Sequence, residues 1–327
     1  MGIEILLFVV GLVLLYFGAE FLVAGSSAVA LRLGIAPLVG GLTVVAFGTS
    51  SPELLVCLMA AFQGTDDISV GNIVGSNIAN ILLILGVSSM IRPMEVHSQI
   101  VRREFAVMAV ASIMLVLVSL DGEILRIEGG LLAVSMVFYL MYTFVSEKKK
   151  SEEGEDVEAP GVDELDGIDP EGSPVWVDYV KIAGGIGGLA GGAYLMVDSA
   201  TTMALAMGIP QLVIGITIVA FGTSLPELAT SVVAAFREES DISVGNVIGS
   251  NIFNIFLVVG TTAIVVPIAV GQLAIDIDLW IMLGVAIGVW PILRTGHRIA
   301  RPEGAFMLLC YIGYIVYLFL RPAAVAV

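Results

Sequence analysis

The sequence contains two copies of one segment. Residues 39–86 align with residues 213–260 without a gap, at an offset of 174 residues, and 29 of the 48 aligned positions are identical. The same offset pairs the stretch that starts at Gly18 with the stretch that starts at Gly192, so the duplication reaches beyond the aligned segment. Self-similarity on this scale constrains the fold, because each half of the chain must adopt the same arrangement of elements.

The composition is that of an integral membrane protein. Apolar residues make up 58% of the chain and charged residues 13%, and the mean hydropathy is +1.01. A helix that crosses a bilayer needs about 20 mostly apolar residues. Ten runs of roughly this length are present, at residues 5–31, 35–62, 68–91, 104–120, 127–145, 179–207, 209–236, 242–267, 275–293 and 304–320.

The runs fall into two sets of five. We predict a first five-helix repeat at residues 1–146, an acidic linker at residues 147–176 and a second repeat at residues 177–327. From Glu147 to Asp178 there are twelve acidic and three basic side chains, without the regular aspartate spacing of a calcium loop, so we interpret the linker as solvated. Because five is odd, the second repeat enters the membrane from the opposite side, and the two repeats are inverted, as in many secondary transporters.

The positions of the basic residues predict the orientation, because cytoplasmic loops accumulate Lys and Arg. With an extracytoplasmic N-terminus, Arg126 and Arg321 fall outside and twelve of the fourteen basic residues fall in cytoplasmic loops. These twelve are Arg32, Arg92, Arg102, Arg103, Lys148, Lys149, Lys150, Lys181, Arg237, Arg294, Arg298 and Arg301. We therefore expect a multi-pass protein of the cell membrane, with both termini extracytoplasmic and the linker cytoplasmic. The net charge of −16 argues against nucleic acid as a partner.

A polar cluster interrupts the second and seventh apolar runs. It reads GTSSPE at residues 48–53 and GTSLPE at residues 222–227. Pro52 and Pro226 have no backbone N–H and clash with the carbonyl four residues earlier, so both helices should break at the bilayer midplane. Backbone carbonyls released at the breaks, around residues 46–48 and 220–222, are expected to become oxygen ligands where they line a cavity.

The glutamates of the two clusters are the strongest functional signal. Nothing basic lies near Glu53 or Glu227 in sequence, and an isolated carboxylate at this depth costs about 2.5 to 3.5 kcal/mol. A duplicated intramembrane glutamate therefore indicates a cation site or a proton carrier. The following helices add Asn72, Ser76 and Asn80 at intervals of four, matched by Asn246, Ser250 and Asn254. Interhelical hydrogen bonding explains each of these alone, but it does not explain the glutamates.

The combined ligand set contains only oxygen donors. Oxygen ligation without His or Cys selects hard cations such as sodium, calcium or magnesium, and six to eight flexible oxygens favour calcium over magnesium. Two glutamates neutralise one calcium ion, or they hold two sodium ions. Competition for shared ligands is therefore a physical route to exchange.

These motifs resemble the two alpha repeats of the sodium/calcium exchanger family, within the calcium/cation antiporter superfamily. The matching stretches are GLTVVAFGTSSPE with GNIVGSNIAN, and GITIVAFGTSLPE with GNVIGSNIFN. The resemblance implies an antiporter of ten helices, with four ion sites at the centre of helices 2, 3, 7 and 8, and with helices 1 and 6 moving against that core. It also implies calcium and sodium ions and the lipid bilayer as partners, no catalytic residue, no resident cofactor and no obligatory protein partner.

The resemblance also implies the ligands. Glu53 and Glu227 would bind calcium and share sodium, and Thr49 and Thr223 would contribute backbone oxygens or hydroxyls. The sodium ligands would be completed by Ser50, Ser76, Asn80, Ser224, Ser250 and Asn254, and backbone carbonyls would come from Ala46 and Ala220. Some microbial relatives carry Asp where this chain has Asn254, so only two central carboxylates are present here.

We expect calcium extrusion driven by sodium entry, and four alternatives are weighed against it. The proton-coupled branch typically carries GNxxE, whereas this chain reads GNIVG at residues 71–75 and GNVIG at residues 245–249, which favours sodium coupling. Potassium-dependent relatives usually carry Asp in the helix 8 region, where Asn254 stands. A cation channel also uses carboxylates and carbonyls, but paired broken helices in inverted repeats favour alternating access. An intramembrane hydrolase built on Ser50 or Ser224 lacks a His or Lys base within the apolar runs.

Four further titratable residues have no assigned role. His97 and His297 fall in cytoplasmic loops and are expected to be ordinary surface histidines or pH sensors. Glu20 and Asp198 lie within the first and sixth runs at unmatched positions. Each is expected either to flank a cation path or to lie near a helix end.

Overall fold

A computed structural model describes residues 2–32, 41–96, 103–152, 174–207, 220–294 and 297–320. Several features predicted from the sequence lie outside this part of the chain. They are His97, Arg102, Arg321, most of the acidic linker and the beginnings of the second and seventh apolar runs.

The described residues are almost entirely helical. In the first half the α-helices are α1 (Gly2–Arg32), α2 (Ala46–Thr49), α3 (Ser51–Gln63), α4 (Asp66–Ala79), α5 (Leu85–Ile91), α6 (Phe105–Ser119) and α7 (Arg126–Glu152). In the second half they are α8 (Val175–Ala206), α9 (Ala220–Thr223), α10 (Leu225–Phe236), α11 (Ser240–Phe253), α12 (Gly260–Val265), α13 (Leu279–Arg294) and α14 (Arg301–Leu320). Four π-helical segments are Gly41–Val45, Asn80–Ile84, Asn254–Val259 and Ala274–Asp278.

The helices account for the ten predicted crossings. Among the described residues, seven helices are long and apolar enough to span a membrane by themselves. One further span is a pair, Leu42–Thr49 and Ser51–Gln63, bent by 45°. Two shorter apolar helices, α6 and α10, complete the set. The prediction of an all-α membrane protein with ten helices in two inverted repeats is therefore confirmed.

Burial separates a central pair of spans from the others. Within their most apolar windows, 78% of the span Asp66–Ile91 and 83% of the span Ser240–Val265 are buried, against 11–28% for the other five single spans. The exposed side chains of those outer helices are large and apolar, including Leu6, Phe138 and Leu309. A bilayer covers such a surface, whereas the two buried spans form the core of the protein.

Two short β ladders are present that the sequence does not predict. β1 (Met94–Glu95) pairs antiparallel with β4 (Arg298–Ile299), and β2 (Glu123–Ile124) pairs antiparallel with β3 (Ile268–Ala269). The repeat offset carries β1 onto β3 and β2 to within one residue of β4, so the two ladders are copies of one another. Each joins a loop of the first repeat to a loop of the second, as an in-plane pseudo-two-fold axis requires.

Helices α1 and α8 pack closely along small residues. A Cβ at Gly185 of α8 would lie 2.6 Å from the backbone nitrogen of Leu22 and 2.8 Å from the carbonyl oxygen of Gly18. A Cβ at Gly192 would likewise lie 2.7 Å from the carbonyl oxygen of Gly11. Small residues at a helix contact allow two backbones to approach, which is how helices associate within a membrane.

We predict that Gly185→Ala destabilises the protein. The added methyl group meets the backbone of α1, which cannot move aside, so the free energy of unfolding should fall by about 1 to 3 kcal/mol, the usual cost of overpacking. The thermal unfolding midpoint in detergent measures this change.

Gly187→Ala is the matched control for Gly185→Ala. It lies on the same helix, and a Cβ there meets nothing within 4 Å. Replacing a helical glycine with alanine should then be neutral or stabilise by up to about 1 kcal/mol. Equal unfolding midpoints for the two variants would contradict the close approach of α1 and α8.

Candidate cation-binding site

Both predicted helix breaks are present. Helix α2 ends at Thr49 and α3 begins at Ser51, and between them Ser50 adopts φ −84° and ψ 3°. Ser224 lies between α9 and α10 with nearly the same dihedral angles, φ −87° and ψ 4°. Each proline falls in the first turn of the second helix, where a missing N–H costs nothing. The sequence thus ends one helix and starts another at the same place in both repeats.

The carbonyls at the first break are largely engaged, contrary to the expectation that the break releases them. The Ala46 oxygen accepts the backbone N–H of Ser50 at 3.0 Å and lies 3.4 Å from the Thr49 hydroxyl. The Phe47 oxygen accepts the Ser51 hydroxyl at 2.8 Å. Ala46 contributes an oxygen to a cation only where the Thr49 hydroxyl gives its hydrogen elsewhere. In the second repeat, Ala220 is the first residue of α9.

The two glutamates lie together in the protein interior. Glu53 and Glu227 are each 1% exposed, and their carboxylates are close enough to interact electrostatically. Ser50 donates a hydrogen bond to Oε1 of Glu227 at 3.3 Å. Among the described residues, neither oxygen of Glu53 nor Oε2 of Glu227 has a hydrogen-bond partner. Two buried carboxylates without a basic partner are costly, so this arrangement indicates a site for a cation.

Polar residues of the two central spans, Asp66–Ile91 and Ser240–Val265, are also buried. Ser76, Asn80, Ser250 and Asn254 are all at most 4% exposed. Asn80 and Asn254 are the first residues of two π-helical segments, a distortion that is frequent at functional sites. The side-chain oxygens of both asparagines lack a hydrogen-bond partner within the described chain, although Asn80 donates to Asn251 at 2.9 Å.

Hydrogen bonds connect the break of each repeat to the polar helix of the other. Thr49 lies 3.1 Å from Oδ1 of Asn246 and 3.4 Å from the hydroxyl of Ser250. In the opposite sense, Thr223 donates to Oδ1 of Asn72 at 3.1 Å, and the hydroxyl of Ser224 lies 3.5 Å from that of Ser76. The structure therefore brings together side chains from both repeats, and the site lies at the contact between them.

Close backbone packing supports this contact. Gly249 of α11 faces the segment before the first break, where a Cβ would lie 2.8 Å from the Cβ of Ala46 and 2.9 Å from the carbonyl oxygen of Leu42. The corresponding partner of Gly75 would come from residues 216–220, most of which lie outside the described residues. Helix α11 and the first break are thus in direct contact.

Sequence reasoning left several residues of this network out of the site. Asn72 and Asn246 fall in the predicted polar stripe, but their bonds to the threonines appear only in the structure. Ser231 was not predicted to belong to the site. Its hydroxyl accepts a hydrogen bond from the side-chain amide of Asn246 at 3.0 Å. Its counterpart in the first repeat is Cys57, so comparing the repeats does not identify it. Asn72 and Asn246 are identical between the repeats, and this identity is the sequence feature that points to their role in the network.

The acidic residues without an assigned role lie away from the glutamate pair. Glu20 forms an ion pair with Arg237, which follows α10, and Asp198 is exposed on α8. Near the ion pair of Glu20 and Arg237, the Ser27 hydroxyl donates to the Glu239 carboxyl at 2.6 Å. Burial raises the pKa of the Glu239 carboxyl to about 7. His297 is exposed with a φ of 50°. Glu20 thus has a structural partner at the end of a helix.

The donor set suits a hard cation. The converging side chains carry carboxylate, hydroxyl and amide oxygens, and the described residues contain no group of three or more His, Cys, Asp or Glu side chains that could hold a metal ion. Carboxylates combined with neutral oxygens are typical ligands for calcium and sodium.

Comparison with known proteins agrees with this chemistry. A family model described as sodium/calcium exchanger protein matches residues 3–145 and 178–320. The inner membrane protein YrbG of Escherichia coli is 38% identical over 313 residues, which are 95% of this chain and 94% of that protein. The sodium/calcium exchanger MaX1 of Methanosarcina acetivorans is 31% identical over an alignment of 345 residues, gaps included, which covers 97% of this chain and 99% of that protein.

A solved structure also resembles the whole chain. It is the sodium-calcium exchanger NCX_Mj soaked with sodium and calcium ions, with a TM-score of 0.82 and 31% sequence identity. The match covers 97% of this chain and 98% of the other. The similarity therefore includes the broken helices and the polar helices as well as the outer spans.

We predict that Glu53→Gln raises the melting temperature of the ion-free protein. Removing one of two buried charges relieves their desolvation and repulsion. The same change should abolish the stabilisation of the parent by calcium, which for a site filled at a hundred times its Kd is about 2.7 kcal/mol. Melting curves in detergent at pH 8, with chelator or with added calcium, measure both effects.

The control for Glu53→Gln is Glu123→Gln. Glu123 is exposed in β2, so its substitution should leave both melting temperatures unchanged. A Glu53→Gln variant that calcium still stabilises as much as the parent would exclude Glu53 as a ligand.

Proposed function

The chain belongs to the sodium/calcium exchanger family, and we propose that it exchanges sodium for calcium by alternating access, with calcium extrusion driven by sodium influx. Membership makes it a cation/calcium antiporter of the membrane. The observation that carries the finer proposal is the pair of buried glutamates, since three of their four carboxylate oxygens have no hydrogen-bond partner among the described residues. A carrier must present such oxygens to its ions and give them up again.

We assign the ions to the ligands predicted from the sequence. Calcium is held between Glu53 and Glu227, and sodium ions compete for the same carboxylates. The neutral ligands are Thr49, Thr223, Ser50, Ser224, Ser76, Ser250, Asn80 and Asn254, with the backbone carbonyls of Ala46 and Ala220. The burial of the described side chains of this set supports the assignment, because a cation there leaves most of its water behind. No catalytic residue, resident cofactor or protein partner is part of the proposal.

The packing of Gly249 favours sodium over protons as the coupling ion. In the proton-coupled pattern GNxxE, this position carries the acid. Here a side chain at Gly249 would meet the Cβ of Ala46 and the carbonyl oxygen of Leu42 at less than 3 Å. The second repeat therefore has no room for that carboxyl group, which supports the proposal that sodium is the coupling ion.

Alternating access requires a unit that moves against the core. Helices α1 and α8 suit this role, since they pack on each other through glycines and are joined by the ion pair between Arg32 and Asp178 at 2.7 Å. The core spans are highly buried and carry the polar side chains, whereas α1 and α8 carry none of the proposed ligands. A sliding helix pair can open either side of a fixed site in turn.

We propose a cell-membrane protein with both termini extracytoplasmic and the acidic linker cytoplasmic. Contacts group the basic loops at one end, where Ser27 binds Glu239, Glu238 pairs with Arg92, and β1 pairs with β4. At the other end, β2 pairs with β3 and Asp66 accepts the backbone N–H of Ala269. The positive-inside rule then places the first end in the cytoplasm, with the linker.

The function is tested by calcium-45 uptake into sodium-loaded proteoliposomes. Dilution into sodium-free buffer should drive uptake, and dilution into buffer with equal sodium should not. Glu53→Gln should lower the initial rate by more than about tenfold, since each 1.4 kcal/mol lost from ion binding is a factor of ten. Glu123→Gln serves as the control and should retain the rate of the parent.

Two outcomes would overturn the coupling assignment. Uptake that depends only on a pH difference would establish a proton/calcium exchanger of the same fold. Rapid uptake without any gradient of the second ion, unsaturated at high calcium, would indicate a channel.

The orientation is tested by labelling with a membrane-impermeant maleimide in intact cells. In a Cys310→Ala background, Gln272→Cys should react from outside, because Gln272 is exposed at the end of the molecule that holds the ladder of β2 and β3. Glu95→Cys, exposed in β1, should react only after permeabilisation. The buried Cys57 serves as the unlabelled baseline, and a reversed pattern would invert the proposed topology.

A further inference from the structure

The Thr49 hydroxyl has one hydrogen and several neighbours. Oδ1 of Asn246 lies 3.1 Å away, the carbonyl oxygen of Ala46 3.4 Å and the hydroxyl of Ser250 3.4 Å. The carboxylate of Glu227 is also within reach of this side chain. The destination of this hydrogen decides whether the oxygens around Thr49 face a cation with lone pairs or with a positive hydrogen.

The orientation of the Asn246 amide is fixed by its other contacts. Its Nδ2 donates to the backbone oxygen of Glu227 at 3.3 Å and to the hydroxyl of Ser231 at 3.0 Å. A backbone oxygen cannot donate, so the NH2 group must face it, and Oδ1 must face Thr49. Asn246 is 0% exposed, so water does not compete for these positions.

The first repeat repeats this arrangement around Asn72. Oδ1 of Asn72 accepts from Thr223 at 3.1 Å, and its Nδ2 donates to the sulfur of Cys57 at 3.4 Å. The thiol of Cys57 points to the backbone oxygen of Ser69 at 3.7 Å, which leaves the sulfur as an acceptor. Thr223 lies beside Glu53, as Thr49 lies beside Glu227.

We propose that Asn246 and Asn72 are positioning residues of the ion site, which draw the hydroxyl hydrogens of Thr49 and Thr223 away from the cation. Each asparagine is anchored within its own repeat and accepts from the threonine of the other. This inference rests on the proposed function, since it assigns a role toward the ions bound at Glu53 and Glu227.

The diverted hydrogen frees two oxygens at once. When Thr49 donates to Asn246, its own lone pairs remain available, and the Ala46 carbonyl keeps the lone pair that Thr49 would otherwise occupy. Without Asn246 the hydrogen turns to Ala46 or to Glu227, both proposed ligands. The site then loses acceptor capacity although no ligand has been replaced.

A double-mutant cycle on Thr49 and Asn246 tests the proposal. Calcium half-saturation is measured by thermal shift of the full-length protein in detergent, for Thr49→Val, Asn246→Leu and both together. We expect each single change to raise the half-saturating concentration by about tenfold, and the double variant to remain within about twofold of Thr49→Val. A purely structural role of Asn246 would weaken binding to the same extent in either background.

The pair Thr223→Val and Asn72→Leu repeats the cycle in the other repeat, where Asn72 is half-buried and its replacement perturbs packing less. Ser112→Ala is the control, because Ser112 bonds only within α6 and should leave half-saturation unchanged. If the parent binds calcium but the effects are additive in both cycles, the positioning role is overturned and the proposed function is not. A parent that neither calcium nor sodium stabilises would overturn the proposed function together with it.

Discussion

The cost of holding two carboxylates inside a membrane protein organises the rest of the structure. Glu53 and Glu227 are almost fully buried, and no basic residue of the described chain is paired with them. Proline breaks two helices beside them, and two polar helices replace the water that they have lost. These features are unfavourable for an ordinary apolar core, and their cost is the physical reason to regard the cluster as a candidate cation site.

Inverted duplication supplies both sides of this candidate site from one five-helix repeat. Each break contacts the polar helix of the opposite repeat, through Thr49 with Asn246 and through Thr223 with Asn72. The β ladders join the same two repeats at both ends of the molecule. A site shared by two structurally similar halves lies near their pseudo-symmetry axis, which is where many secondary transporters bind their substrates.

Periodicity and residue chemistry predicted the spans, the breaks and the glutamates, because each depends on residues close together in the chain. The contacts that were missed join residues far apart. Arg237 is 217 positions from Glu20, which it neutralises, and neither position has an equivalent partner in the other repeat. The Ala46 carbonyl was expected to be free, but the serine at the break continues the turn and occupies it. Such bonds depend on the packing of helices, which the repeat offset alone does not give.

The two-fold symmetry is incomplete where it matters for the ions. Glu227 accepts a hydrogen bond from Ser50, whereas the oxygens of Glu53 accept none from the described chain. Asn246 is anchored by two oxygens, whereas Asn72 is anchored by a sulfur, a weaker acceptor. The two repeats therefore hold their asparagines by unequal hydrogen bonds, and Glu53 is the carboxylate with fewer of them. The pseudo-symmetry of the backbone thus does not extend to the hydrogen bonds around the two carboxylates.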